Sequence, residues 1–106
     1  MSRKENVIKR YIPMSEASFL LLSCLSKENH GYGIMMEVQE LTKNRVSLGA
    51  GTIYTLLYKM ENDGVIKATK EVEKKKLYVI TDIGKSLYQE ECKRLEELVE
   101  IGKKKG

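Results

Sequence analysis

GAGTIYTLLYKMENDGVI, Gly49 to Ile66, acquires two differently equipped faces once it is wound as a helix. At about 100° per residue, Ile53, Leu56, Leu57 and Met60 recur at i, i+3, i+4 and i+7 and form one narrow apolar stripe. Such a stripe needs a core to cover it. The opposite face carries Thr55, Tyr58, Lys59 and Asn62, with Thr52 and Tyr54 flanking. These side chains can hydrogen-bond or meet a phosphate, and none does acid-base chemistry near neutral pH. Asn62-Asp63-Gly64 closes the helix, because glycine tolerates the left-handed conformation that a C-terminal cap uses. The β-branched pair Val65-Ile66 follows at once, so a helix hands over to a strand.

An ordinary amphipathic surface helix shows the same periodicity, so the neighbouring segments decide between readings. Upstream, His30-Gly31-Tyr32-Gly33 opens a helix that runs to about Lys43, with Ile34, Val38 and Leu41 at i, i+4 and i+7. Met35 and Met36 widen its apolar face as core fillers. Tyr32 stands beside the free N–H groups of that first turn, where it either meets a phosphate or packs into the core. Asn44 to Gly51 is a connection whose glycines do not read as a nucleotide loop. A dinucleotide fingerprint needs a third small residue where Tyr54 stands and a strand just before, and no Gly-Lys-Ser or Gly-Lys-Thr follows. The glycines instead let the next helix approach a partner closely.

Downstream, Val65 to Thr81 gives two strands: Ile66 and Ala68 alternate against Lys67, and Tyr78 and Ile80 share a face. Between them Lys70-Glu71-Val72-Glu73-Lys74-Lys75-Lys76 is expected as a polar loop with three lysines at its tip. Helix, connection, helix and a Lys-rich strand pair is the order in which a helix-turn-helix with a wing presents its recognition helix to the major groove. In that frame Thr55, Tyr58, Lys59 and Asn62 face the groove, where Lys59 can donate to guanine and Asn62 can pair with adenine or reach the backbone. Tyr32, Thr52 and Tyr54 stand beside them, and Lys74, Lys75 and Lys76 flank a phosphate backbone.

Outside this unit, Ser15 is a suitable N-cap for a helix from Glu16 to about Ser26, in which Phe19, Leu20, Leu21, Leu22, Cys24 and Leu25 leave little polar surface. Met1 to Ile12 is basic and reads as an arm or a short helix, ending at the only proline, Pro13. Thr81 or Asp82 caps a last helix that runs to about Ile101 before Gly102 and a lysine tail. In it Tyr88, Cys92, Leu95 and Val99 recur at i, i+4, i+7 and i+11, with Ile83, Leu87, Leu98 and Ile101 broadening the stripe. A domain this small leaves little surface of its own for such a helix, so a second copy is the expected partner, against packing back onto the same chain. The fold class is mainly α (α+β): a basic arm over 1–13, a winged helix-turn-helix over 14–81, and a dimerisation helix with a lysine tail over 82–106.

At 106 residues the chain is one domain, with 19 Lys and Arg against 15 Asp and Glu, a net +4 that favours polyanionic partners. Residues 1–81 hold 13 basic and 9 acidic side chains, whereas residues 82–102 hold 3 and 6, so the positive excess sits on the reading head and on Lys103, Lys104 and Lys105. Two cysteines and one histidine give no disulfide framework, no metal clip and no nucleophile-base pair, so neither a cofactor nor an enzymatic role is expected. No secretory leader and no apolar run of membrane-spanning length is visible, which predicts a cytoplasmic protein without a membrane partner.

Together HGYG at His30 to Gly33, GTIYTLLYKMENDG at Gly51 to Gly64, and the KKLYVIT run ending at Thr81 with Gly84 beyond it resemble the PadR family of bacterial transcriptional regulators, of the short type with a single C-terminal helix. The resemblance covers about Met14 to Ile101. It implies a homodimeric winged helix-turn-helix repressor that occupies a pseudo-palindromic operator in double-stranded DNA, with the C-terminal helix making the dimer. Members often have proline where Thr55 stands. Some short members bind flat aromatic drugs by stacking on a tryptophan at the dimer interface; this chain has no tryptophan, which argues against ligand sensing of that kind and leaves any small-molecule effector unidentified. Winged helices also serve as protein-protein adaptors; the lysine-rich wing favours DNA over that alternative.

Overall fold

A computed structural model describes residues 1–106 as a winged helix-turn-helix with a long C-terminal helix. The order is α1 (Arg3–Tyr11), α2 (Glu16–Ser23), α3 (Gly31–Leu41), α4 (Ala50–Asn62), β1 (Ile66–Val72), β2 (Lys75–Ile80) and α5 (Asp82–Lys105). No helix is long and apolar enough to cross a membrane.

The first segment, read as an arm or short helix, is a helix with a share of the core. Ser2 accepts the Glu5 N–H as its cap, and Val7 and Tyr11 are buried where α1 packs along α5. Helix α2 begins as expected, with Ser15 Oγ accepting from the Ser18 N–H at 3.1 Å. It stops at Ser23, short of Ser26, because the Cys24 and Leu25 N–H groups turn back to Leu21 and Leu22, tightening the last turn. Cys24 is a core residue whose thiol is pushed up to about 12 by burial.

Helix α3 buries Ile34 and Val38 completely but leaves Leu41 55% exposed, against the expected stripe. The chain turns away there through Lys43 and Asn44, both with positive φ, and the core takes Leu48 from the connection instead. Helix α4 follows its pattern closely. Ile53, Leu57 and Met60 are buried, Leu56 partly so, and Gly64 adopts φ +77° after Asp63, as a C-terminal stop requires.

The wing differs from the sequence reading. Strands β1 and β2 pair antiparallel from Ile66↔Ile80 to Val72↔Lys75, with an irregularity between Ala68 and Lys70. Instead of a loop over Lys70 to Lys76, the hairpin closes through Glu73 and Lys74 alone, both left-handed at φ 51° and 65°. Two left-handed residues are the signature of a type I′ turn, which ordinarily carries Gly, Asn or Asp, so the usual sequence signal is missing. At its other edge β2 meets Asn29, whose N–H donates to the Tyr78 carbonyl at 3.0 Å and whose carbonyl accepts from the Tyr78 N–H at 2.8 Å. The wing is thereby tied to the turn before α3.

Thr81 caps α5, accepting from the Gly84 N–H at 3.1 Å while its hydroxyl donates to the Gly64 carbonyl at 2.6 Å. Gly84 itself passes so close to the wing that a Cβ there would stand 2.2 Å from the Val65 carbonyl oxygen. The helix continues through Gly102 to Lys105, so the lysine tail is helical rather than separate. Its first half belongs to its own chain. Leu87 is fully buried, Ile83 packs against the core, and the Tyr88 ring stacks on Phe19 at 4.7 Å while its hydroxyl bonds to Ser23. These three residues were expected at a dimer interface; the body of the domain offers α5 more surface than its size suggests. From Glu96 to Gly106 every residue is exposed, including Leu98, Val99 and Ile101.

Candidate nucleic-acid interface

With Ile53, Leu57 and Met60 turned inward, Thr55, Tyr58 and Asn62 are exposed on the outer face of α4, Tyr58 by 71%. Thr52 is exposed in the first turn. Between α4, the start of α3 and the wing lies a cleft of about 310 Å³ lined by His30, Gly31, Tyr32, Tyr54, Lys74, Lys75, Lys76 and Tyr78. Five of the residues singled out from sequence for DNA therefore share one concave surface. Tyr32 is 57% exposed, which removes it from the core. Tyr54 lies across Gly31, its hydroxyl 2.9 Å from where a Cβ of that residue would stand. His30 caps α3 by accepting the Gly33 N–H on Nδ1 at 3.1 Å.

The three wing lysines are not equivalent. Lys74 stands in the turn and Lys75 begins β2, whereas Lys76 is drawn toward α4, its ammonium 3.6 Å from Glu61 and 5.5 Å from the centre of the Tyr78 ring. On the other side of α4, Lys59 is likewise held rather than free. Its ammonium lies 3.7 Å from Asp63 and 4.2 Å above the Tyr11 ring. Asp63 accepts the Tyr11 hydroxyl at 2.7 Å and sits 3.6 Å from Arg10. Burial, then the hydrogen bond to Asp63, raises the Tyr11 phenol well above its ordinary value, so it remains a donor. Sequence reading missed this cluster. The i, i+4 spacing of Lys59 and Asp63 was a usable signal; nothing local tied Arg10 and Tyr11 to them.

Of the residues expected at a dimer interface, Leu98 and Val99 are exposed, and Cys92 and Leu95 are half-buried. The Cys92 thiol is raised by burial and by Glu96 and Glu91. Glu91, which the sequence does not single out from the six acidic residues of 82–102, is 1% exposed, taking two hydrogen bonds from Arg94 and one from the Met14 N–H.

A family model described as the transcriptional regulator PadR-like family matches residues 21–90, from α2 through the wing into α5. The chain belongs to the PadR-like family of transcriptional regulators. An uncharacterised protein of Lysinibacillus sphaericus is 32% identical over 88 residues, which cover 79% of this chain and 81% of that one. A transcriptional regulator from Clostridium thermocellum superposes with a TM-score of 0.74 at 24% identity, covering 98% of this chain and 96% of the other. A PadR family regulator from Clostridium difficile gives 0.69 at 24%, covering 85% and 97%. PadR of Bacillus subtilis, solved in complex with operator DNA, gives 0.60 at 26%, covering 70% of this chain and 44% of that one. In this PadR-like chain the motif residues have concrete tasks: His30 caps α3, Gly31 accommodates Tyr54, and Thr81 with Gly84 joins the wing to α5.

Proposed function

We propose that the chain acts as a homodimeric repressor that binds a pseudo-palindromic operator, with α4 in the major groove and the wing lysines on the phosphate backbone. The observation that carries this reading is the division of α4: a buried line of Ile53, Leu57 and Met60, and an exposed polar line of Thr55, Tyr58 and Asn62 beside a lysine-bearing hairpin. A groove about 12 Å wide admits such a helix. The likeness to Bacillus subtilis PadR, which was solved in complex with operator DNA, supports DNA binding by this chain.

The outer half of α5 supports the dimer. Leu98, Val99 and Ile101 are 47%, 55% and 50% exposed, a larger run of apolar side chains than a free helix normally presents to water. A two-fold dimer joined through this half would present two copies of α4, and a two-fold protein matches a two-fold operator. Selection of bound sequences from a random DNA pool tests this reading. The expected product is a pair of inverted half-sites with centres about 10 bp apart or a multiple of that; an unselected pool after repeated rounds refutes it.

A further inference from the structure

Helix α4 has two flanks, and each meets a basic element near its C-terminal end. At about 100° per residue, Tyr54 and Glu61 fall on one edge and Lys59 and Asp63 on the other, with Thr55, Tyr58 and Asn62 between. The wing occupies the first edge through the Lys76–Glu61 pair. Helix α1 occupies the second, where Arg10 and Lys59 share Asp63 at 3.6 and 3.7 Å and Tyr11 donates to the same carboxylate. Arg3 lies on the same face of α1 as Arg10, two turns earlier at i and i+7, with its guanidinium against Gly64.

Exposure shows which groups of the cluster are available. The Arg10 and Lys59 side chains are 58% and 60% exposed, whereas Asp63 is 18% exposed. The carboxylate is the inner group that aligns two outward cations, and the three together retain a net positive charge to which Arg3 adds a second. A helix lying in the major groove has a phosphate backbone on each side of it. The wing lysines serve one side, and on α4 itself only Lys59 leans to the other.

We propose that α1 is a second phosphate-binding element: Arg10 and Lys59, aligned by Asp63 and Tyr11, meet the DNA backbone on the side opposite the wing, with Arg3 further along the same face. This inference rests on the DNA-binding reading above. The competing explanation is that Arg3 and Arg10 only offset the negative end of the α4 dipole. That role affects stability and leaves the salt dependence of DNA binding alone.

The test is the slope of log affinity against log salt for the full chain, on the selected operator and on random duplex DNA, with Lys75→Gln as the wing reference. Each lost phosphate contact makes the slope shallower by about 0.9 per subunit, hence about 1.8 for a dimer on two half-sites. Between about 50 and 200 mM salt, Arg10→Gln should therefore lose roughly tenfold less affinity than the parent, equally on both DNAs. Arg3→Gln should act in the same direction, and Arg10→Lys should keep the parent slope. If Lys75→Gln flattens the slope while Arg10→Gln and Arg3→Gln lower only the melting temperature, α1 does not touch DNA and the dipole explanation stands. If the parent itself binds neither DNA in a salt-dependent way, the DNA-binding reading fails first and this inference with it.

Discussion

Replacing Glu91 by Gln removes a buried charge that ties three parts of the chain together. Its carboxylate accepts from Arg94 Nε at 2.6 Å, from Arg94 Nη2 at 2.9 Å and from the Met14 N–H at 2.8 Å, joining α5 to the segment between α1 and α2. Glutamine keeps one acceptor oxygen but removes the only carboxylate that Arg94 hydrogen-bonds, leaving it the weaker attraction of Glu97. Removing one member of a buried pair costs about 3–5 kcal/mol. The Arg94 side chain is 29% exposed and can turn partly to water, which places the expected loss at the lower end, about 3 kcal/mol at pH 7. Arg94 first, and then the Met14 N–H, hold the Glu91 carboxyl below the ordinary carboxylate value against the opposing effect of burial. A depressed folded-state pKa contributes stability that is fully present above the unfolded value, near 4.3, and is lost as pH falls through the folded one. Urea unfolding at fixed protomer concentration should therefore show a midpoint roughly 1–3 M lower for Glu91→Gln at pH 7, for an m-value of about 1–3 kcal/mol/M. The gap should narrow steadily as the pH is taken below 4. Equal midpoints at pH 7, or a gap that persists undiminished at pH 2, would refute the assignment of Glu91 as a buried ionised tie.

Other outcomes follow from single contacts. Gly84→Ala forces a Cβ against the Val65 carbonyl and the Ile80 side chain, and should cost roughly 1–3 kcal/mol in thermal unfolding; an unchanged melting temperature would mean that the joint between wing and helix has room for a methyl group. Lys74→Gly relieves a left-handed lysine, so it should raise stability by up to about 1 kcal/mol while flattening the salt dependence of DNA binding, a pairing that calorimetry and titration check together. Leu95→Asp with Val99→Asp should yield monomers in sedimentation at concentrations where the parent is dimeric, and a persistent dimer would move the interface off the outer half of α5.

The parts of the fold that were legible from sequence are those whose residues report a local periodicity or cap. The α4 stripe, the Ser15 and Thr81 caps, the Gly64 stop and the presence of two wing strands all depend on neighbours within a few positions, and the structure reproduces each, whereas the expected alternation of Ile66 and Ala68 against Lys67 fails because Ala68 is exposed like Lys67. What was illegible depends on distant partners. Val7 and Tyr11 look like two apolar residues in a basic tail until α5 and Asp63 come to meet them. Glu91 looks like any acid on an acidic helix until Met14 supplies an N–H from the other end of the chain. The α5 stripe was visible, but not where the domain body ends along it, so Ile83, Leu87 and Tyr88 were grouped with residues that stand beyond the core. The hairpin turn escaped because Glu73-Lys74 carries none of the residues that normally mark positive φ. For the site, the outer face of α4 was readable from spacing alone, whereas the Arg10–Asp63–Lys59 cluster required tertiary contacts.

Sequence reading by α4 is best measured with Ala substitutions at Thr55, Tyr58 and Asn62, each titrated against a panel of single-base variants of the selected operator. A side chain that contacts a base edge should, when removed, cost roughly 1–3 kcal/mol on the parent operator and abolish the preference at one base position in each half-site, leaving the other positions unchanged. If all three substitutions instead weaken every DNA alike and the base preference survives at every position, α4 does not lie in the major groove as a reading helix.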